Sequence, residues 1–385
     1  MMRVAGAVGM SAVLALGAVA CGDDGGGSGD GDSITIGFMG DLTGENSGLV
    51  IPPKQGAELA IEQYNATNPE VKINFKTYDS QGKPEQATTL ATGAVKSDGI
   101  VGMIGPAFSG ESQSVGPILE EAGVPSISPS ATGITLAEQG WKFWHRVVAD
   151  DTVQSAGVAT FLTGSLKAEK VFLTHDNQEY GKGLADAIAK GLEGKVEVQT
   201  DPIDTQATDY SSTVNKIVQF APDAVYFGGY YADAGNLFKQ LREGGYEGKL
   251  MSGDGSFAPQ LIEGIGQEDA QGTLVSCGCL VDTEGTTNET AKKFAADYQA
   301  KYNAPPAVYS SEGYDAATAF IKAIQDGKTT PEDINEFLTG VQFEGVGKSI
   351  AFAENGELAA KDIFIYEVKG GEMPLLGTAE EAQAS

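Results

Sequence analysis

Five loops carry the residues that could do chemistry, and each follows an apolar stretch. "GPAFSGES" places Ser109 at the entry to a helix, and "PSATGITLAEQG" places Ser130 and Thr132 at another. Hydroxyls beside the free N–H groups and positive dipole end of a helix suit a carboxylate. Three further loops bring Tyr180 in "DNQEYG", Tyr230 after "VYFGG" and Asp254 after "LMSG". Singly each has a bland reading, since Ser and Thr at helix starts are ordinary N-caps. Five together carry more weight, because open α/β sheets bind ligands outside the carboxyl ends of their strands.

Catalysis finds less support, and the chain is not expected to be an enzyme. Of its 2 histidines, His145 follows "KFW" and reads as packing near a hinge. His175 ends a strand and could pair with a serine, but no G-x-S-x-G elbow is present. "GKG" in "YGKGLADA" lacks the third glycine of a dinucleotide fingerprint. No cofactor or metal is expected. Cys277 and Cys279 in "VSCGCLVD" have no further ligands at metal-binding spacing. In an oxidising compartment they read as a local disulfide, near the upper limit of Cα separation for an extended pair, stiffening the chain beside a crossing.

The elements that must position these loops alternate in type. "ITIGF" reads as a strand, followed by a helix with Ala57, Ala60, Ile61 and Tyr64 on one face. "VKINFKTYD" alternates as a half-buried strand, and "IVGMIG" and "VPSIS" read as buried ones. The cycle restarts with a helix from Asp151 and strand "KVFLTH". Helix Ser211–Phe220, strand "DAVYFGG", helix Ala232–Arg242 and strand "KLMSG" continue it. Two successive βα series imply an α/β fold of two doubly wound parallel-sheet lobes. After Leu280 long helices follow, Asn288–Tyr302 and Tyr314–Asp326, then a strand, a turn at "ENGE" and a final strand.

The beginning of the chain points to export. Arg3 and the apolar run Val4–Ala20 have the layout of a signal peptide over residues 1–20. Residues 22–33 contain only Gly, Asp and Ser, a solvated tether that buries nothing. "AVAC" resembles the lipobox of bacterial lipoproteins, with Ala18 where Leu is usual, and implies acylation of Cys21. The 385 residues allow two domains, and the net charge of −28 disfavours nucleic acid and anionic lipid as partners.

Three linked motifs then carry a family resemblance: "GPAFSGESQSVGPILEEAGVPSISPSATGITLAEQG", "LTHDNQEYGKGLADAIAKGL" and "DAVYFGGYYADAGNLFKQLREGG". They resemble the branched-chain amino acid-binding proteins of bacterial ABC importers, of the type I periplasmic binding protein family. The resemblance implies two lobes joined by a three-crossing hinge that close on a ligand. Lobe 1 would hold 33–149 plus 281–353 and lobe 2 would hold 150–280 plus 354–378, with a disordered tail at 379–385. By the same resemblance, Ser109, Ser130 and Thr132 would hold an amino acid carboxylate. Asp254 would take the ammonium, Tyr230 would sit near it, and Tyr180 and Tyr309 would wall the ligand. A zwitterion needs donors at one end and a carboxylate at the other.

Two departures leave the ligand open. Asp254 is one methylene shorter than the family's Glu, and the loop "DLTGENSGLVIPPK" offers Ser47 or Leu49 where an aromatic is expected. The expected role is a lipid-anchored, monomeric receptor on the outer face of a bacterial cell membrane, delivering an amino acid to a permease. A tethered sensor, or a binder of another small carboxylate or amide, would use the same clamp.

Overall fold

Strands buried on both faces need helices on both sides, and two such sheets form in the computed structural model, which describes residues 33–281, 288–359 and 362–382. The first comprises β1 (Ser33–Gly40), β2 (Lys72–Asp79), β3 (Gly102–Ile104), β4 (Ser126–Ser128) and β5 (Trp144–Arg146). Its order is β2-β1-β3-β4-β5, parallel throughout. Helices α1 (Ile51–Ala66), α2 (Pro84–Lys96) and α3 (Ser109–Ala122) connect its strands.

The second unit begins at α4 (Asp151–Gly164). It alternates β6 (Lys170–His175), α5 (Glu179–Leu192), β7 (Glu197–Pro202), α6 (Ser211–Phe220) and β8 (Ala224–Gly228). Then come α7 (Tyr231–Glu243), β9 (Lys249–Ser252), α8 (Pro259–Ile265) and β10 (Leu274–Cys277). After α9 (Glu289–Tyr302), α10 (Ser310–Gln325) and α11 (Pro331–Gly340), strands β11 (Gln342–Glu344) and β12 (Ser349–Ala351) form a small hairpin. Finally β13 (Phe364–Glu367) and β14 (Leu375–Thr378) join the second sheet, ordered β14-β13-β10-β9-β8-β6-β7.

Both lobes are the α/β units the alternation implies, with one addition. β13 and β14 are antiparallel to their neighbours, so the second sheet is parallel only from β7 to β10. The short return between β13 and β14 permits no crossover helix, and only antiparallel pairing follows. The strand expected after "ENGE" is β13, and the one before it, β12, pairs with β11 instead. The turn itself is present, with Gly356 at φ 78°.

α10 lies directly on α1. A Cβ on Gly56 would fall 1.9 Å from the Ser310 carbonyl oxygen, and one on Gly313 would fall 1.9 Å from that of Pro53. Backbone meets backbone there, which fixes the start of α10 against the first sheet's helices. Helix α10 therefore begins at Ser310, four residues earlier than its apolar spacing suggests.

The chain passes between the units at residues 147–150, after β10, and between β12 and β13. Lys348 gathers these passages: its Nζ donates to the carbonyls of Val147 (3.3 Å) and Gly278 (3.4 Å) and pairs with Glu312 at 2.6 Å. Beside it a disulfide joins Cys277 to Cys279, with Cα atoms 5.1 Å apart. The expected signal peptide, Cys21 and its tether lie outside the described residues. Disorder expected from residue 379 is corrected over 379–382. Ala379 and Ala382 are buried, and Ser165 Oγ donates to the Ala382 carbonyl at 2.7 Å, so this stretch seals the end of α4.

Candidate functional site

The loops after β3, β4, β6, β8 and β9 converge where the lobes face one another. A single cavity is lined by Ser109, Ser130, Tyr180, Tyr230, Asp254 and Tyr309, with Leu49 and Phe108 completing its wall. Of the two first-loop alternatives, Leu49 lines this cavity and Ser47 does not. The space left is about 10 Å³, roughly one water, so the lobes are closed tightly around it.

The first lobe contributes hydroxyls at helix and loop starts. Ser109 opens α3, and its Oγ accepts the Gly133 N–H at 3.0 Å. Ser130 Oγ donates to the Ala107 carbonyl at 2.7 Å. Both hydroxyls thus stitch the loop after β3 to the loop after β4. Arg146, fully buried on β5, holds the second loop from behind, its Nη1 donating to the carbonyls of Ala131 (3.0 Å) and Gly133 (3.1 Å). The guanidinium also pairs with Glu357.

Thr132 is placed differently from its expected position. It does not line the cavity; its carbonyl accepts the Asp151 N–H at 2.9 Å, and its buried hydroxyl lies beside the Asp151 carboxylate. Docking of the first turn of α4 against this loop takes Thr132 out of the wall.

Asp254 follows β9 and is 3% exposed. Gln154 Nε2 donates to its Oδ1 at 2.7 Å, and Tyr180 Oη donates to the same oxygen at 2.8 Å. Tyr309 Oη donates to Oδ2. No side-chain cap at the following turn uses Asp254, so the plain capping role is not what holds it. Tyr309 reaches it from the N-cap of α10 with φ 60° and ψ 3°, a left-handed backbone that costs a tyrosine roughly 1–2 kcal/mol.

A second carboxylate sits beside the first. Asp151, fully buried, has no hydrogen-bond partner for either oxygen. Burial and then the charge of Asp254 hold its pKa well above the ordinary carboxylate range. Burial also raises Asp254, but its three donors oppose that. Of the pair, Asp254 is therefore the better place for the negative charge and Asp151 for the proton.

Tyr230 stacks on Phe108 with centroids 4.6 Å apart and on Tyr180 at 5.4 Å. Gln154, Asp151 and Phe108 escaped the sequence reading. Phe108 directly precedes Ser109, and "DDTVQSAG" carries a polar first helical turn that reads as capping. His145 is buried against Phe352, ring centroids 4.8 Å apart, and His175 Nδ1 accepts the Asn177 N–H at 3.0 Å rather than meeting a serine.

The profile of the family described as periplasmic binding protein matches residues 33–372. The chain is 30% identical over 347 residues to the Leu/Ile/Val-binding protein homolog 3 of Brucella melitensis, covering 88% of this chain and 92% of that one. It is similar in structure to a leucine-binding protein of Thermotoga maritima, with TM-score 0.84 and 29% identity over 90% of this chain and 98% of the other. It is also similar to a branched-chain amino acid transporter substrate-binding protein of Streptococcus pneumoniae in complex with isoleucine. That match has TM-score 0.83 and 25% identity, covering 92% of this chain and 99% of the other.

Proposed function

The chain belongs to the periplasmic binding protein family, and we propose that it captures an amino acid of branched-chain or related type for an ABC importer. The observation that carries this reading is the placement of Asp254. A buried carboxylate from one lobe faces the Ser109 and Ser130 loops of the other across a shared cavity. Once the lobes part to widen this one-water cavity, an α-ammonium beside Asp254, with the α-carboxylate toward the hydroxyls and backbone amides at the start of α3, satisfies both ends of a zwitterion. Tyr180, Tyr230 and Tyr309 wall it, and Thr132 acts one step back by adjoining Asp151. The protein binds and releases its ligand without altering it, and needs no cofactor.

In this reading Cys21 carries the lipid, residues 22–33 span from membrane to clamp, and the partner is a membrane permease. The clamp works as a monomer. Among the described residues Val218, 41% exposed, is the one large apolar side chain that stands out into solvent, too little for an apolar patch that would drive self-association. The lobes correspond to 33–149 plus 281–353 and 150–280 plus 354–378, turning about the passages that Lys348 gathers.

One observation favours a second reading. Asp254 already receives three hydrogen bonds, and a small carboxylate or amide without an ammonium would leave all three intact. Calorimetry with leucine, isoleucine, valine and a wider amino acid panel, each beside its deaminated acid, separates the two. Binding that requires the ammonium supports the amino acid reading. Equal or tighter binding of the deaminated acids overturns it.

A further inference from the structure

Two pairs of neighbouring residues meet across the cleft. Leu49, from the loop after β1, and Tyr230, just before α7, both line the inner cavity. The residues beside them, Gly48 and Tyr231, are bonded to each other, the Gly48 N–H donating to Tyr231 Oη at 3.1 Å. The same hydroxyl donates its own proton to the Glu45 carbonyl at 2.7 Å. A single buried phenol thus uses its donor and a lone pair on the backbone of the opposite unit.

The loop leaves these two groups for it. The Asp41 carboxylate accepts the Gly44 and Asn46 amides, and the amides of Ser47, Leu49 and Val50 donate to the carbonyls of Gly44, Asn46 and Ser47. The Gly48 amide, the remaining one from Asn46 to Val50, goes to the second unit instead. Gly48 also lets the turn lie close, since a Cβ there would come 3.0 Å from Gln260 Oε1 on α8. Tyr230 is the extended N-cap of α7 and Tyr231 its first helical residue, so one side chain reaches the cavity and the next reaches the loop.

Leu49 is what this contact carries into the wall. Buried itself, it is the one branched aliphatic side chain among the described residues lining the cavity, and so suits an aliphatic ligand. We propose that Tyr231 is a positioning residue for ligand retention: its hydroxyl draws the turn at Gly48 in as the lobes close and seats Leu49 against the side chain of the captured amino acid. The bond is made to a turn and not to a strand, so the turn follows Tyr231 when a ligand holds the two sheets further apart. In the open clamp the Gly48 amide and Glu45 carbonyl meet water, and closure exchanges that water for the phenol. The gain belongs to the closed, liganded state and therefore acts on release rather than on capture. The inference deepens the amino acid reading and rests on it.

The test measures leucine, isoleucine and valine on the mature chain, with affinity from calorimetry and dissociation from the chase of radiolabelled ligand. Tyr231→Phe, which keeps the ring, is expected to weaken binding about ten-fold, with dissociation faster by the same factor and association unchanged. In a Leu49→Ala background the same change should cost less than about two-fold, because no side chain is left to seat. An unchanged dissociation rate in Tyr231→Phe overturns the proposal. So does an equal loss in both backgrounds, which would make the hydroxyl a plain tie between lobes. Both outcomes leave the amino acid reading standing. Binding of none of the three by the unaltered protein overturns the seating on Leu49 and the branched-chain reading together. If Leu49→Ala does not fold, the rates of Tyr231→Phe alone decide the matter.

Discussion

The hydroxyl of Tyr309, at the start of α10, donates to Oδ2 of Asp254, at the end of β9, and the bond crosses from one lobe to the other. It is one of several such ties. Tyr231 Oη donates to the Glu45 carbonyl at 2.7 Å, and Thr135 Oγ1 donates to Glu179 at 2.6 Å. The closed arrangement thus has its own fastenings, and the one at Asp254 is made by a residue held in a left-handed backbone.

Tyr309→Phe deletes that fastening while keeping the ring. A hydrogen bond to a charged group contributes about 1.5–3 kcal/mol, so ligand affinity should fall roughly ten- to a hundred-fold. Small-angle scattering of the ligand-free variant should give a larger radius of gyration than the unaltered protein. An identical radius and affinity would mean the bond does not hold the lobes together.

Asp254→Asn removes the charge offered to an ammonium. Truncating one member of a desolvated pair costs about 2–5 kcal/mol, or roughly thirty-fold to several thousand-fold in affinity. Melting temperature should change little, because hydroxyls of Tyr180 and Tyr309 can turn from donor to acceptor. Unchanged affinity would rule out an ammonium at this position.

Arg146 acts through the loop it holds. Arg146→Met removes the guanidinium that pairs with buried Glu357 and frees the carbonyls of Ala131 and Gly133, so about 3–5 kcal/mol of stability should be lost. Adding Glu357→Leu should recover part of the melting temperature without restoring affinity. Full recovery of both would show that the arginine does not shape the Ser130 loop.

Stability should rise as pH falls from about 8 to about 5.5. Burial pushes Glu111 and Asp176 up to about 7 and Asp315 up to about 8, so the folded protein keeps protons there that the unfolded chain releases. His145, pushed down to about 4, and His175, also lowered by burial, work the other way by taking up protons on unfolding below their ordinary pKa. Three acids against two histidines leave the folded state favoured by acid in this range. Thermal scans across it should show the higher melting temperature at the acid end, and Asp315→Asn should flatten the slope.

Cys21 should carry a diacylglyceryl group in the mature protein, visible by mass spectrometry, and Cys21→Ser should abolish it. A mature chain without lipid mass would remove the purpose assigned to the Gly/Asp/Ser tether.

The alternation of strand and helix was plain in the residues because parallel strands covered on both faces read as unbroken apolar runs, as "IVGMIG" and "DAVYFGG" do. Ser211–Phe220 is helical over the range its spacing indicates. Strands of three residues, such as β5 and β11, are too short to show any period, and β14 has only four half-buried residues. The loops that end strands pointed to Ser109, Ser130, Tyr180, Tyr230 and Asp254 as neighbours. Gln154, 100 positions from Asp254, could not be placed beside it from spacing, since only the packing of α4 within the second lobe brings it to the end of β9. Thr132 and Ser130 look alike in sequence, and the docking of α4 alone separates them.

The order of strands also has a bearing on when this chain can fold. β10 stays an open edge until β13, nearly a hundred residues later, lies along it, and α1 waits for α10 before its glycine face is covered. A chain still emerging from the ribosome therefore lacks the helix that covers α1 until α10 (Ser310–Gln325) is made, and the strand that covers β10 until β13 (Phe364–Glu367) is made. For the exported receptor proposed above, that delay would keep the chain slack during passage and defer compaction to the far side.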